Sequence, residues 1–185
     1  MGNQIVVLSG SPRKGGNTDK MAEAFVEGAQ AQGKSVALFR VADMKIGGCL
    51  GCDGCEQDGV MCVQKDDMLK ILEALLSADT LVFASPVYYF SVSAQLKLAI
   101  DRIYALSRIC GLKGREVPIK RAALIMPCED ETPDTAAGAV AMFERICDYY
   151  KWENCGAIIA TQVLKPGEIN GRIELDKARE LGRGI

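Results

Sequence analysis

Short apolar runs alternate with amphipathic segments along the whole chain. The apolar runs predict five strands: Ile5–Leu8, Ser35–Phe39, Thr80–Ala84, Ala122–Met126 and Gly156–Ala160. The first of them, Ile5–Leu8, is compact and rich in β-branched residues, which is typical of a strand buried on both faces of a sheet. Apolar residues at helical spacing predict helices between and after the strands: Met21–Ala29 (with Asn17 or Thr18 as its N-cap), Asp66–Ala78, Ser93–Leu106, Thr135–Tyr150 and Glu174–Leu181.

This order of elements predicts the fold. Strands that alternate with helices indicate an α/β protein with a parallel sheet and helices on both faces. Because crossovers between parallel strands are right-handed, a doubly wound five-stranded sheet of order 2-1-3-4-5 is the favoured topology. Its ligand site is expected at the carboxyl ends of the strands, where the order switches between strands one and three. Without repeats or a linker, we expect one domain over 1–185 with a cysteine-rich insertion at about 47–65.

Composition removes several classes of function. The 185 residues are 49% hydrophobic and 25% charged, as in an ordinary globular protein, and the net charge is −2. This charge favours neither a nucleic acid nor an anionic membrane as a partner. The apolar run Leu81–Phe90 is interrupted by Pro86 and is too short to span a bilayer. With no basic leader visible, we expect a cytoplasmic protein, whose eight cysteines are thiols or ligands rather than disulfides.

The loop after the first strand reads SGSPRKGGNT, Ser9–Thr18. It leads into a helix, whose first N–H groups and positive dipole end attract anions. Hydroxyl, amide and guanidinium donors suited to a phosphate come from Ser9, Ser11, Arg13, Asn17 and Thr18. The loop is neither a P-loop nor a dinucleotide fingerprint. The alternative is an ordinary polar turn between a strand and a helix.

The loop after the third strand reads SPVYYFSVSAQLK, Ser85–Lys97. Three consecutive aromatic residues, Tyr88–Phe90, stand here in a chain that is only 6% aromatic. Aromatic rings at the edge of a sheet are suited to packing against a planar heterocycle. The alternative is a hydrophobic plug over the core.

Together these two loops resemble those of the NADPH-dependent FMN reductase family, which has a flavodoxin-like fold. The resemblance implies that the FMN phosphate binds Ser9, Ser11, Arg13, Asn17 and Thr18. It places Pro86, Val87, Tyr88 and Tyr89 along the ribityl chain and ring. It also implies a homodimer or homotetramer with the flavin near a subunit interface.

The loop after the fourth strand, MPCEDETPDT, departs from that family, whose members often have a glycine-rich turn there. The acids Glu129, Asp130 and Glu131 would repel an anionic dinucleotide, which argues against direct reduction by NADPH. Cys128 ends the strand, at a position from which it could approach the flavin.

Four cysteines fall within CLGCDGCEQDGVMC, in a chain that has no histidine. Their spacing is C-x2-C-x2-C-x6-C, formed by Cys49, Cys52, Cys55 and Cys62. A disulfide knot is not expected in the cytosol. Zinc bound by four thiolates is possible, although structural zinc sites usually pair two C-x2-C units across a longer gap. Three cysteines at intervals of two instead match the bacterial ferredoxin run around a [4Fe-4S] cluster. The glycines between them allow the tight, left-handed backbone that such wrapping needs.

This segment resembles the iron–sulfur flavoproteins, a branch of the same family in which a [4Fe-4S] cluster exchanges single electrons with FMN. Their last interval is commonly x5 rather than x6, and the insertion also occurs in relatives not known to hold a cluster. The leading hypothesis is therefore an iron–sulfur flavoprotein, with ferredoxin or NAD(P)H as donor and a small-molecule acceptor. No catalytic side chain is expected. The alternatives are a cluster-free NAD(P)H-dependent reductase of flavins, quinones or nitroaromatics, and a zinc-stabilised flavodoxin-like binding module.

Overall fold

Five parallel strands form the centre of the computed structural model, which describes residues 4–57 and 59–185. Residues 1–3 and 58, which belong to the predicted domain and insertion, lie outside the described residues. The strands are β1 (Gln4–Ser9), β2 (Ser35–Arg40), β3 (Thr80–Ala84), β4 (Arg121–Pro127) and β5 (Glu153–Ala160). Their order is β2-β1-β3-β4-β5 and every pairing is parallel, so the predicted flavodoxin-like topology is confirmed.

The helices follow the predicted order with altered ends. They are α1 (Asn17–Ala31), α2 (Met68–Leu75), α3 (Ala94–Leu112), α4 (Ala137–Tyr150) and α5 (Ile173–Gly184). Helix α2 starts at Met68 rather than Asp66, whose carboxylate accepts a hydrogen bond from the Met68 N–H at 3.2 Å, and it ends at Leu75 rather than Ala78. Helix α3 continues past its predicted end, since Ile109 and Cys110 extend its buried stripe. Among the described residues, no helix is both long and apolar enough to cross a bilayer.

Alternate side chains of each central strand face opposite sides of the sheet. Val6 and Leu8 of β1 pack in a core with residues of α2, α3 and α4. Ile5 and Val7 pack in the other core with residues of α1 and α5. All four are at most 1% exposed, so helices cover both faces of the sheet, as predicted.

The register brings the ends of β1 and β3 together. Ser9 pairs with Ala84, and the Gly10 N–H donates to the Ala84 carbonyl at 2.8 Å. The Ser93 hydroxyl donates to the Gly10 carbonyl at 2.7 Å. A Cβ at Gly10 would lie 2.6 Å from the Leu96 Cβ, so the first loop needs glycine to pack against the start of α3. The two loops singled out in the sequence therefore leave the sheet side by side.

Candidate functional site

A cavity of about 290 Å³ opens at the carboxyl ends of the strands, between the loops after β1 and β3. Seven of the nine residues predicted to hold the flavin line it: Ser11, Arg13, Asn17, Thr18, Pro86, Val87 and Tyr88. Small-molecule sites of doubly wound sheets lie at this switch point. The structure thus brings together two loops about 70 positions apart in sequence.

The remaining wall comes from the loops after β4 and β5. Its residues are Pro127, Cys128, Glu129, Val163, Leu164 and Pro166. The Cys128 N–H donates to the Ala160 carbonyl at 2.8 Å, and the Val163 N–H donates to the Cys128 carbonyl at 2.8 Å, so the two loops are joined. Sequence reasoning placed Cys128 near the ligand but missed residues 163–166. The rule that ligands bind beyond the strand carboxyl ends could have found them, since it applies equally to β5.

Asp19 of α1 holds the loop after β1 in place, a role not predicted from the sequence. Its carboxylate accepts hydrogen bonds from the Ser9 hydroxyl at 2.9 Å and the Gly15 N–H at 2.8 Å, and it forms an ion pair with Arg40. Ser9 is fully buried and does not line the cavity. Its hydroxyl orients Asp19 and with it the loop, whereas a direct contact between Ser9 and a phosphate stays a prediction.

The predicted capping of α1 is wrong. The N-cap is Gly16, and no side chain caps the helix there. Asn17 instead binds the loop after β5, because its amide donates to the Lys165 carbonyl at 2.8 Å and accepts from the Gly167 N–H at 2.9 Å. The start of α1 therefore lies in the cavity wall without a side-chain cap, and its first N–H groups have no intrahelical partner. This is the arrangement that suits an anion.

Arg13 adds a positive charge at the mouth of the cavity. Its guanidinium donates to the Leu164 carbonyl at 2.8 Å, which leaves other N–H groups to bind a phosphate. Together with Asn17, Arg13 holds the loop after β5 across the start of α1.

The aromatic residues after β3 form a tight turn. The Tyr88 N–H donates to the Ser91 carbonyl at 2.9 Å, and the Ser91 N–H donates to the Tyr88 carbonyl at 3.1 Å. Between them Tyr89 and Phe90 have φ of 47° and 63°, which side chains other than glycine rarely adopt. Tyr89 is 99% exposed and Phe90 65% exposed, so Tyr89 does not reach the cavity. Tyr89 and Phe90, which were predicted to pack on a heterocycle or plug the core, therefore point into solvent, whereas Tyr88 lines the cavity while remaining 40% exposed.

The four clustered cysteines line a second, smaller cavity of about 70 Å³. Cys49 and Cys52 are exposed, Cys55 and Cys62 are half-buried, and Arg102 of α3 forms part of the floor. Within residues 4–57 and 59–185, no three His, Cys, Asp or Glu side chains are grouped so that they could hold a metal ion. The left-handed turns expected of the segment occur, but at Gly51, Gly59 and the non-glycine residue Asp53.

Backbone and side-chain contacts close the base of this segment. The Gly47 N–H donates to the Asp66 carboxylate at 2.9 Å, and the Gln64 amide donates to the Gly48 carbonyl at 2.9 Å. The Asp67 N–H donates to the Lys45 carbonyl at 3.0 Å. The cysteines therefore lie on a loop whose two ends are tied together.

Two ionisable side chains at the cysteine segment have pKa values shifted in opposite directions. Burial raises the pKa of the Cys55 thiol, and negative charge at Cys62 and Cys49 would raise it further. Burial opposes ionisation of Asp66 as well, but hydrogen bonds from Arg102 and the Gly47 N–H hold its pKa below the usual range. Arg102 is the buried cation of this site, and it was not predicted from the sequence.

The scattered cysteines differ in surroundings. Cys147 of α4 is 3% exposed in the hydrophobic core, and burial raises its pKa to about 11. Burial also raises the pKa of Cys128, which is 4% exposed beside the larger cavity. Both thiols are therefore protonated at neutral pH.

Known proteins resemble this chain in sequence. Residues 3–128 match the family described as NADPH-dependent FMN reductase. An iron-sulfur flavoprotein of Archaeoglobus fulgidus is 33% identical over 182 residues, which cover 98% of this chain and 78% of that protein. A Bacillus subtilis protein, YwqN, provisionally named as an NAD(P)H-dependent FMN-containing oxidoreductase, is 27% identical over 90% of this chain and 88% of its own.

Solved structures resemble it in fold. The NAD(P)H:quinone oxidoreductase of Methanothermobacter marburgensis matches with a TM-score of 0.77, covering 98% of this chain and 94% of that one. The two sequences are 21% identical, so this likeness shows the fold alone.

Proposed function

This chain belongs to the NADPH-dependent FMN reductase family and is a flavin-dependent oxidoreductase, and on that premise we propose that it is an iron–sulfur flavoprotein in which a [4Fe-4S] cluster and FMN exchange electrons. One observation carries the flavin site: seven of the nine predicted residues line a single cavity at the switch point of the sheet. The Archaeoglobus relative and the four-cysteine spacing support the cluster.

The residues of the larger cavity fit FMN. The start of α1 and the side chains of Ser11, Arg13 and Thr18 would bind the phosphate, since they offer neutral donors and one positive charge. Pro86, Val87 and Tyr88 would line the ribityl chain and the ring. A single terminal phosphate suits this loop, which has no pyrophosphate fingerprint.

The residues of the smaller cavity suit a cluster by donor type, although within the part of the chain that the structure describes they are not grouped as a metal site. Cys49, Cys52, Cys55 and Cys62 are four thiols on one short loop, and each iron of a cubane takes one thiolate. When bound, FMN accepts two electrons and releases them singly, and the cluster is a one-electron partner. The protein's own contribution is to hold the two groups, and α3 joins their sites: Ser93 at its start binds the flavin loop, and Arg102 lies beneath the cysteines.

The electron donor that we propose is a reduced one-electron carrier such as ferredoxin. Glu129 lines the larger cavity, and Asp130 and Glu131 are exposed beside it. Three acids at the mouth oppose the approach of an anionic dinucleotide. The exposed Cys49 and Cys52 leave the smaller cavity open to a carrier protein. A cytoplasmic location and a small-molecule acceptor stay predictions.

A homo-oligomer is the assembly that we propose. The turn that carries Tyr89 and Phe90 exposes two large rings beside the larger cavity, on backbone in a conformation that is costly for both residues. A second copy that covers them would bury this apolar surface and narrow the cavity mouth. Aromatic residues are enriched at such interfaces.

The second candidate is a cluster-free NAD(P)H-dependent reductase of flavins, quinones or nitroaromatics. The Bacillus relative favours it, because the match spans 90% of this chain and the name of that protein carries no iron–sulfur term. Iron and acid-labile sulfide analysis of anaerobically purified protein separates the two candidates. We expect iron and acid-labile sulfide, with four irons per chain. Flavin without iron or sulfide supports the second candidate. Zinc alone would indicate the binding module.

The flavin site is tested by Ser11→Glu, which places a carboxylate against the proposed phosphate. Ser11 is 3% exposed and lines the cavity, so the new charge has no room to turn away. We expect this variant to purify without flavin. Ser77→Glu, at an exposed serine that follows α2, is the matched control and keeps the yellow colour. A Ser11→Glu protein as yellow as the parent would refute the phosphate assignment.

A further inference from the structure

A buried guanidinium lies directly under the cysteine segment. Arg102 of α3 is 2% exposed, and its Nη2 donates to the Cys62 Sγ at 3.3 Å. Its Nη1 donates to the Gly47 carbonyl at 3.2 Å and forms an ion pair with Asp66. Across the part of the chain that the structure describes, its buried Nε has no hydrogen-bond partner.

This environment compensates the charge of Arg102 only in part. A buried guanidinium is costly unless its charge and its N–H groups are all matched. Asp66 supplies one negative charge but also accepts from the N–H groups of Gly47 and Met68. A neutral thiol at Cys62 is a weak acceptor, whereas a thiolate there accepts a charge-assisted hydrogen bond. The geometry is therefore complementary to negative charge on the cysteine side.

Resting on the proposed function, we infer that Arg102 is a positioning residue that sets the reduction potential of the cluster. It donates a hydrogen bond to the Cys62 sulfur and holds a fixed positive charge beside the cluster. Reduction adds one electron, supplied by FMN or by a one-electron carrier, and makes the cluster more negative by one charge. A fixed neighbouring cation stabilises the more negative state more strongly, so it raises the potential.

A neighbouring arginine, Arg108, lacks the burial and, among the described residues, the contact with sulfur that this role requires. Arg108 lies on the same helix and forms an ion pair with Glu56 of the segment, but its side chain is 42% exposed. It is absent from the lining of the smaller cavity among the residues described. Solvent therefore screens the charge of Arg108, and it has no hydrogen bond to a cysteine sulfur in the described contacts. Arg108→Gln is the matched control.

The test is an anaerobic redox titration of the cluster-loaded protein, followed by electron paramagnetic resonance of the reduced cluster. We expect Arg102→Gln to lower the equilibrium constant for reduction about tenfold, which is about 59 mV more negative for a one-electron couple. Arg102→Lys keeps the charge and gives a smaller shift. Arg108→Gln shifts the cluster potential much less than Arg102→Gln does, and the flavin potential of each variant serves as an internal reference.

Asp66→Asn is expected to shift the cluster potential in the opposite direction from Arg102→Gln. It removes the negative charge that offsets Arg102 and retains an oxygen that accepts from the Gly47 N–H, so we expect a more positive potential. A merely structural role would not move the two variants in opposite directions. If Arg102→Gln loses its iron, the Asp66→Asn titration decides in its place.

The inference is overturned if cluster-loaded Arg102→Gln has the same cluster potential as the parent. It is also overturned if the cluster potential of Asp66→Asn is unchanged or more negative. These outcomes differ from failure of the proposed function, in which the parent protein itself contains no iron and no sulfide.

Discussion

The Ser9 hydroxyl donates a hydrogen bond to the Asp19 carboxylate at 2.9 Å, with both side chains buried beneath the phosphate loop. A carboxylate this close to a proposed phosphate is unexpected, since like charges repel. Its charge is offset by the Arg40 guanidinium, which also donates to the Ser11 carbonyl at 3.3 Å. Asp19 thus holds the loop from behind while its charge is neutralised.

Asp19→Ala removes the contacts of this carboxylate with Ser9, Gly15 and Arg40 at once. It leaves the buried Ser9 hydroxyl and the Gly15 N–H without their acceptor. We expect the free energy of unfolding of the flavin-free protein to fall by about 3 kcal/mol, because an unsatisfied buried polar group costs about 1–3 kcal/mol. Urea denaturation measures this. Glu23→Ala, at an exposed acid of the same helix, is the control, and equal losses in the two variants would contradict the prediction.

Loss of the cluster is expected to leave the flavin in place. The base of the cysteine segment is closed by Gly47–Asp66 and Gln64–Gly48 hydrogen bonds that involve no cysteine side chain. Cys52→Ala and Cys55→Ala therefore lose iron, sulfide and brown absorption but keep stoichiometric FMN. Cys155→Ala, a half-buried cysteine in β5, is the control that keeps both groups. Loss of flavin along with iron would mean that the segment is instead a metal-dependent part of the fold.

The choice of electron donor is tested at Glu129. In anaerobic stopped-flow experiments we expect reduced ferredoxin to bleach the flavin faster than NADPH does. Glu129→Gln then speeds NADPH bleaching roughly fivefold, since two unit charges near a wet surface interact by about 1 kcal/mol. Glu131→Gln, at an exposed acid outside the cavity lining described, changes the rate less. Rapid NADPH bleaching by the parent, undiminished in Cys52→Ala, would move the assignment to the cluster-free reductase.

The turn that carries Tyr89 and Phe90 is tested as part of the subunit interface. Tyr89→Asn together with Phe90→Gly places the residues that such a two-residue turn prefers and removes both exposed rings. The substitution relieves about 1 kcal/mol of backbone cost per residue, so the subunit remains folded. We expect light scattering to show dissociation of the homo-oligomer. Tyr149→Asn, at a ring of α4 that is 66% exposed, is the control, and a double variant that retains the parent's mass would exclude the turn from the interface.

Alkaline pH is expected to destabilise the fold through Cys147. Burial raises its pKa from 9.0 to about 11 in the folded protein. Between these values the unfolded chain has lost a proton that the folded chain retains, so stability falls as pH rises. The free energy of unfolding then declines by up to about 1.4 kcal/mol per pH unit from this group. Cys147→Ala flattens the measured slope between pH 9 and 11 by that amount, and parallel curves for variant and parent would contradict the assignment.

The sequence by itself determined the sheet and the location of the larger cavity. Short apolar runs that alternate with helical patterns favour buried parallel strands, and right-handed crossovers leave few ways to connect them. The loops around Ser11 and Pro86 therefore had to meet at the carboxyl edge, where the structure places them. Local pattern was sufficient here because the alternation of short apolar runs and amphipathic segments is visible in residues close together in sequence.

Tertiary structure decided how individual side chains are used. Asn17 binds the loop at Lys165 and Gly167, and Ser9 binds Asp19, contacts that the sequence did not predict. Their contacts with a phosphate stay predictions. In the sequence Arg102 is one of several polar residues of a predicted helix. Only the packing of that helix against the cysteine segment makes it a buried cation beside Cys62. A hydrogen bond depends on which distant group reaches the same point in space. Periodicity along the chain does not contain that information.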